Sequence, residues 1–171
     1  MPPGVDPSPV PRIWVICGAG RGVGKTRLAQ ALCAALPRAV YAKQGTSRRK
    51  AGKPESLFRE DSEVDAFIEA EGSRGRAHLV IESNALARQG RGDIIIFLEA
   101  GPGSERPPRA DADLLRSRAG IVIDGAPACG RRATARAWRE SLERIDLDPA
   151  VGDEVMIVLQ AQQEWTRQAR A

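Results

Sequence analysis

Lysine is scarce in this chain: Lys25, Lys43, Lys50 and Lys53 are the four lysines among 26 basic residues. Arginine therefore carries the net charge of +4 and the pI near 9.3. The arginines are spread along the whole length and interleaved with acids, which describes a solvated surface. Aromatic residues make up only 4% of the 171 positions, so no stacking platform for single strands is available. Both observations argue against nucleic acid as a partner. Three cysteines, Cys17, Cys33 and Cys129, form an odd set without metal spacing and fit a reducing, cytoplasmic compartment. Cys17 and Cys33 fall inside a predicted strand and helix, where they read as small hydrophobes. A single histidine, His78, leaves no structural zinc site and reads as a structural residue at a strand start. No apolar run reaches the roughly 18 residues that a membrane-spanning helix needs. The segment 1–11 is rich in proline and lacks an apolar signal core, so it is expected to be a disordered leader. The remainder, 12–171, suits one domain with a sizeable core.

Against that background one stretch stands out, Ile13-Trp14-Val15-Ile16-Cys17-Gly18-Ala19-Gly20-Arg21-Gly22-Val23-Gly24-Lys25-Thr26. It reads as a buried strand, a glycine-rich loop ending in Gly-Lys-Thr, and the start of a helix. That is the phosphate-binding loop pattern in its required context. Glycines let the backbone approach phosphate and turn N–H groups inward, and the helix N-terminus adds partial positive charge. Gly20, Arg21, Gly22, Val23, Gly24, Lys25, Thr26 and Arg27 are the expected nucleotide cradle. Lys25 would reach the β- and γ-phosphates, and the Thr26 hydroxyl would hold Mg²⁺. The first glycine of the strict pattern is replaced by Ala19, which fits only where φ is negative.

Apolar runs alternate with helical patterns, predicting an α/β single domain with a mainly parallel sheet and helices on both faces. Strands are expected at Arg12–Cys17, Ala39–Ala42, Ala77–Ile81, Asp93–Leu98 and Gly120–Ile123. The spacing of Leu28, Leu32 and Leu36 predicts a helix over Lys25–Leu36. Further helices are expected at Leu57–Glu71, Ala112–Arg118, Arg131–Ile145 and Ala161–Ala169, with a last strand at Glu154–Leu159. Lys43–Ser56 and Gly101–Arg109 read as loops, and Ala85–Gln89 as a helical or looped segment.

Ligands of parallel sheets lie outside the carboxyl ends of the strands, which selects the candidate site residues. Glu82 ends the His78–Ile81 run, where an acid would hold Mg²⁺ directly or through water. Glu99 ends the next strand and competes for that role. Asp93 precedes its strand and belongs at the opposite pole. Lys43 ends the second strand, placed to neutralise phosphate or a second anionic ligand. Arg48, Arg49 and Lys50 follow on a loop that could close over such a ligand. Asp124 could read a base or hydroxyl, but no Asn-Lys-x-Asp motif is present, so GTP and ATP both remain open.

The loop Gly18–Thr26, Lys43 with the Gly52-Lys53-Pro54 segment and Asp61, and Glu82 together resemble a branch of the P-loop NTPases. That branch holds dethiobiotin synthetases, nickel-insertion and signal-recognition GTPases, and the molybdopterin-guanine dinucleotide biosynthesis protein B family. The chain looks most like the last of these, over roughly residues 12–125. It departs where that family carries a histidine-bearing stretch, here Gln44-Gly45-Thr46-Ser47, and where Glu-Gly is expected, here Glu82-Ser83. The resemblance implies GTP binding with Mg²⁺, weak hydrolysis, dimerisation, and an accessory role in molybdenum cofactor biosynthesis with a pterin or other small anionic second ligand. In that reading Lys25, Lys43 and Glu82 carry the chemistry, and Thr26 and Glu82 hold the metal. Two other readings stay open. One is an ATP-dependent kinase or ligase on a small acid, clamped by the Arg48–Lys53 loop. The other is a nucleotide-switched adaptor that makes contact through Gly101–Arg109.

Overall fold

A computed structural model describes residues 10–45, 57–100 and 106–123. Residues 1–9 of the expected leader, the Arg48–Lys53 loop, Cys129, Asp124 and all elements expected beyond it lie outside these described residues; Pro11, expected to belong to the leader, is buried. Within them, six strands form one all-parallel sheet in the order β3-β2-β4-β1-β5-β6. In chain order the elements are β1 (Arg12–Gly18), α1 (Lys25–Ala35), β2 (Ala39–Gln44), β3 (Leu57–Phe58), α2 (Asp61–Ser73), β4 (His78–Glu82), α3 (Asn84–Arg88), β5 (Ile94–Leu98), α4 (Ala112–Arg118) and β6 (Ile121–Ile123).

The two-residue period of the central strands sorts their side chains onto opposite faces. Trp14 and Ile16 of β1, with Val80, Ile94, Ile96, Leu98, Ile121 and Ile123, pack against Leu28, Ala29, Leu32 and Leu36 at the α1 face. Val15 and Cys17, with Leu79, Ile81, Ile95 and Phe97, pack against Val64 of α2, Leu86 and Ala87 of α3, and Leu115 of α4. Both faces are covered, which is why the Ile94–Leu98 run is apolar at every position and buried throughout. The leucine repeat of α1 does what its spacing predicts, since Leu28, Leu32 and Leu36 are all buried.

Two expectations are corrected. Leu57 and Phe58 do not begin a helix; they pair with Lys43 and Gln44 as an edge strand, β3. The helix starts at Asp61 because Glu60 and Glu63 form a reciprocal capping box, Glu63 accepting from the Glu60 N–H at 3.0 Å. The second strand also runs two residues further than expected, to Gln44, so Lys43 belongs to the sheet and not to a loop.

The connections then create a crevice. β1 leads into α1 on one face, whereas its neighbours β4 and β5 lead into α3 and α4 on the other. Where adjacent strands send their chains to opposite faces, the carboxyl ends leave a cleft. Gly18–Lys25 occupies that position.

Candidate functional site

The glycine-rich loop is shaped by two glycines in the left-handed region, Gly22 at φ 79° and Gly24 at φ 103°. Gly24 serves as N-cap of α1 in that conformation, and no side chain caps the helix. Its first N–H groups therefore have no side-chain competitor for an anion. Arg38 is the one described non-glycine with positive φ, so Ala19 has the negative φ that the sequence requires of it. Gly18 is needed for space: a Cβ there would lie 2.9 Å from Val23 Cγ2 and 3.0 Å from the Leu98 carbonyl oxygen. The loop is tied down on both sides. Ala19 N–H donates to Leu98 O at 2.8 Å, and the Gly18 N–H donates to Asn84 Oδ1 at 3.2 Å.

Thr26, Lys43 and Glu82 meet beside this loop, as the strand-end rule predicts. The buried Glu82 carboxylate accepts from Thr26 Oγ1 at 2.8 Å on one oxygen and from Lys43 Nζ at 2.9 Å on the other. Lys43 and Glu82 are opposite residues in the β2–β4 pairing, so the ion pair follows from strand register. Tyr41, two residues earlier on the same face of β2, donates its hydroxyl to Glu82 at 3.0 Å. Sequence reasoning missed Tyr41, because a tyrosine in a strand reads as core. Burial, with Glu82 close by, pushes the Tyr41 phenol above its usual range, so it stays a donor.

Lys25 donates to the Gly20 carbonyl at 2.5 Å, folding the loop around its own ammonium. Burial depresses its pKa; Glu82 pulls the other way, and Lys43 and Arg109 add to the depression. An ammonium held that way gains from an arriving anion. Arg21 and Arg27 are exposed at the loop and helix start, and Arg27 has a partner of its own.

A second polar chain runs behind the site. Ser83 Oγ caps α3 by accepting from Leu86 N at 3.0 Å and donates to Gln44 Oε1 at 2.6 Å. Gln44 Nε2 reaches Asp61 Oδ1 at 2.7 Å, and Gln89 Nε2 reaches Asp61 Oδ2 at 2.6 Å. These bonds hold the ends of β2, α2, β4 and α3 in one arrangement.

Several other candidates resolve by position. Glu99 points to Arg116 at 2.7 Å and does not join the Thr26 group. Asp93 lies at the opposite pole as expected, accepting from the Ile13 N–H at 2.7 Å. His78 accepts from Trp14 Nε1 at 3.2 Å on Nδ1, which requires the neutral ring, and burial first, then Arg12 and Arg38, hold its pKa down. Cys17 and Cys33 are packed thiols whose pKa burial pushes up to about 12, so neither is a nucleophile.

The donor set suits a hard cation. A hydroxyl and a carboxylate stand at one point, and no group of three or more His, Cys, Asp or Glu side chains could hold an ion among the described residues. Mg²⁺ is commonly held by one or two protein oxygens together with phosphates and water, which is the arrangement these two residues permit. No helix among the described residues is long and apolar enough to cross a membrane.

No protein-family model matches this chain, and no curated protein matches it. The site must therefore be read from its own geometry.

Proposed function

We propose that this chain is a P-loop nucleotide-binding protein that takes a nucleoside triphosphate with Mg²⁺ and hydrolyses it slowly. One observation carries the reading. A glycine-rich loop ending in Lys25-Thr26 opens an uncapped helix at the sheet's crevice, and Thr26 there touches the strand-end carboxylate Glu82.

In this reading the loop N–H groups and Lys25 bind the phosphates, and Lys25 leaves the Gly20 carbonyl to do so. Thr26 and Glu82 would hold Mg²⁺, which when bound screens phosphate charge as the terminal bond breaks. Lys43 shares Glu82 and lies 3.5 Å from Thr26 Oγ1, so it is placed to move from carboxylate to phosphate. Tyr41 and Lys43 keep the Glu82 carboxylate oriented. Glu82, the carboxylate beside the loop, is already engaged by Thr26, Tyr41 and Lys43 and so is not free to act as a general base, which suits slow turnover. A preference for GTP, dimerisation and a place in molybdenum cofactor biosynthesis rest on the resemblance drawn from the sequence.

Calorimetric titration of GTP and ATP, each with Mg²⁺, into wild type and Lys25→Ala tests the proposal. Loss of about 100-fold in affinity is expected for the variant, the size of one strong charge-assisted hydrogen bond. Unchanged affinity overturns it. A strong preference for ATP moves the small-acid kinase or ligase reading ahead of the cofactor-accessory one.

A further inference from the structure

The glycine-rich loop has a second flank. On its β5 side a cavity of about 340 Å³ opens between Ala19, Gly20, Arg21 and Val23 and the segment Arg106–Arg109, with Ala100 also lining it. That volume lies in the range of pockets that take small ligands. Three arginines, Arg21, Arg106 and Arg109, line it, and no acid is among its described lining residues. Arg109 shares Asp111 at 2.9 Å with Arg88. Arg21 and Arg106 are exposed and have no acidic partner among the described residues.

The wall is held in place. The Arg109 N–H donates to the Ala19 carbonyl at 2.7 Å, and Pro107 and Pro108 fix φ in the two residues before it. Arg21 and Arg106 leave positive charge at this concavity, and planar guanidinium forks match carboxylate and phosphate oxygens. Arg109 also lies close enough to Lys25 to lower its pKa, so the cavity opens beside the phosphate end of the loop.

We infer that this cavity, which shares Gly20, Arg21 and Val23 with the loop and adds Arg106 and Arg109, is an anion subsite on the β5 side of Lys25, built to take the phosphate or carboxylate group of a small second ligand. It rests on the nucleotide reading only in being the second site and not the first.

The test is calorimetric titration of inorganic phosphate, and separately of succinate, into three forms of the full chain. These are wild type, Lys25→Ala, and the double variant Arg106→Gln/Arg109→Gln. Saturable binding of at least one anion is expected to survive Lys25→Ala and to weaken at least tenfold in the double variant. Stronger binding of phosphate assigns a phosphoester ligand, and stronger binding of succinate a carboxylate. Binding lost in Lys25→Ala but intact in the double variant overturns the inference, as does no saturable binding of either anion. Mg²⁺-GTP or Mg²⁺-ATP affinity should be unchanged in the double variant. A wild type that binds phosphate through these arginines yet binds neither nucleotide removes the nucleotide reading and leaves the subsite standing. Should the double variant fail to fold, Arg106→Gln alone replaces it, with a several-fold loss of anion affinity expected and no loss overturning the inference.

Discussion

The two flanks of the glycine-rich loop treat charge in opposite ways. On the β4 flank the buried Glu82 is met by Lys43, Thr26 and Tyr41. On the β5 flank Arg21 and Arg106 stand at a cavity without an acidic partner among the described residues. The difference follows from burial. A carboxylate taken out of water must be paired, whereas exposed guanidinium groups keep their hydration and can wait for a ligand. The β4 flank is thus built into the sheet, and the β5 flank is built onto it.

Substitutions should separate the flanks in size of effect. The largest loss is expected from Glu82→Gln, which leaves Lys43 facing a neutral amide. Urea unfolding should show about 3 kcal/mol of lost stability, the low end for a broken buried pair, because Lys43 keeps 20% of its side chain exposed. A loss below about 0.5 kcal/mol, the range of ordinary surface changes, would erase the contrast between the flanks.

Next comes the hinge between them. Gly18→Ala forces a methyl against Val23 and the Leu98 carbonyl, and about 1–3 kcal/mol of destabilisation is expected from such overpacking. Gly20→Ala meets nothing within 4 Å and should change the thermal midpoint little. Equal effects at the two positions would mean that the loop relaxes freely.

On the β5 flank Asp111 orients Arg88 and Arg109, whose hydrogen bonds and charge hold its carboxyl down at about 2, against an ordinary 3.8. The folded pKa lies below the unfolded one, so this stabilisation is fully present above pH 3.8 and fades as pH falls toward 2. Asp111→Asn should therefore unfold at lower urea than wild type at pH 6, with the gap closing as pH falls through that window. A gap that is constant with pH would mean the carboxylate charge contributes nothing. The smallest effect belongs to Glu99→Gln. Its pair with Arg116 is 31% and 59% exposed, and about 0.5 kcal/mol or less is expected. An effect matching that of Glu82→Gln would reopen the choice between the two carboxylates.

The sequence made the β4 flank more legible than the β5 flank. Glu82 could be found because it follows an apolar strand, and strand ends face the crevice. Lys43 stood out because lysine is rare here. Tyr41 could not be found, since only the β2–β4 pairing brings its hydroxyl to Glu82. The Ser83–Gln44–Asp61–Gln89 chain was hidden for a similar reason: its ordinary polar side chains are spread over β2, α2 and the two ends of α3. Arg106 and Arg109 were hidden among many arginines, and a proline-rich loop gives no period from which to place a side chain. β3 was missed because two residues are too short to show alternation, and their apolar character suits a helix start equally well.

The Lys43–Glu82 pair is set by the alignment of two strands and by no loop. Losing one residue inside β2 would turn Lys43 to the other side of the sheet and bring Gln44 opposite Glu82. Such a protein could keep its six strands and lose its chemistry in a single step. Insertions between β2 and β3 carry no such penalty, since the alignment is already fixed upstream. The loops can drift in length over generations, while the spacing within Ala39–Gln44 has to be copied without error.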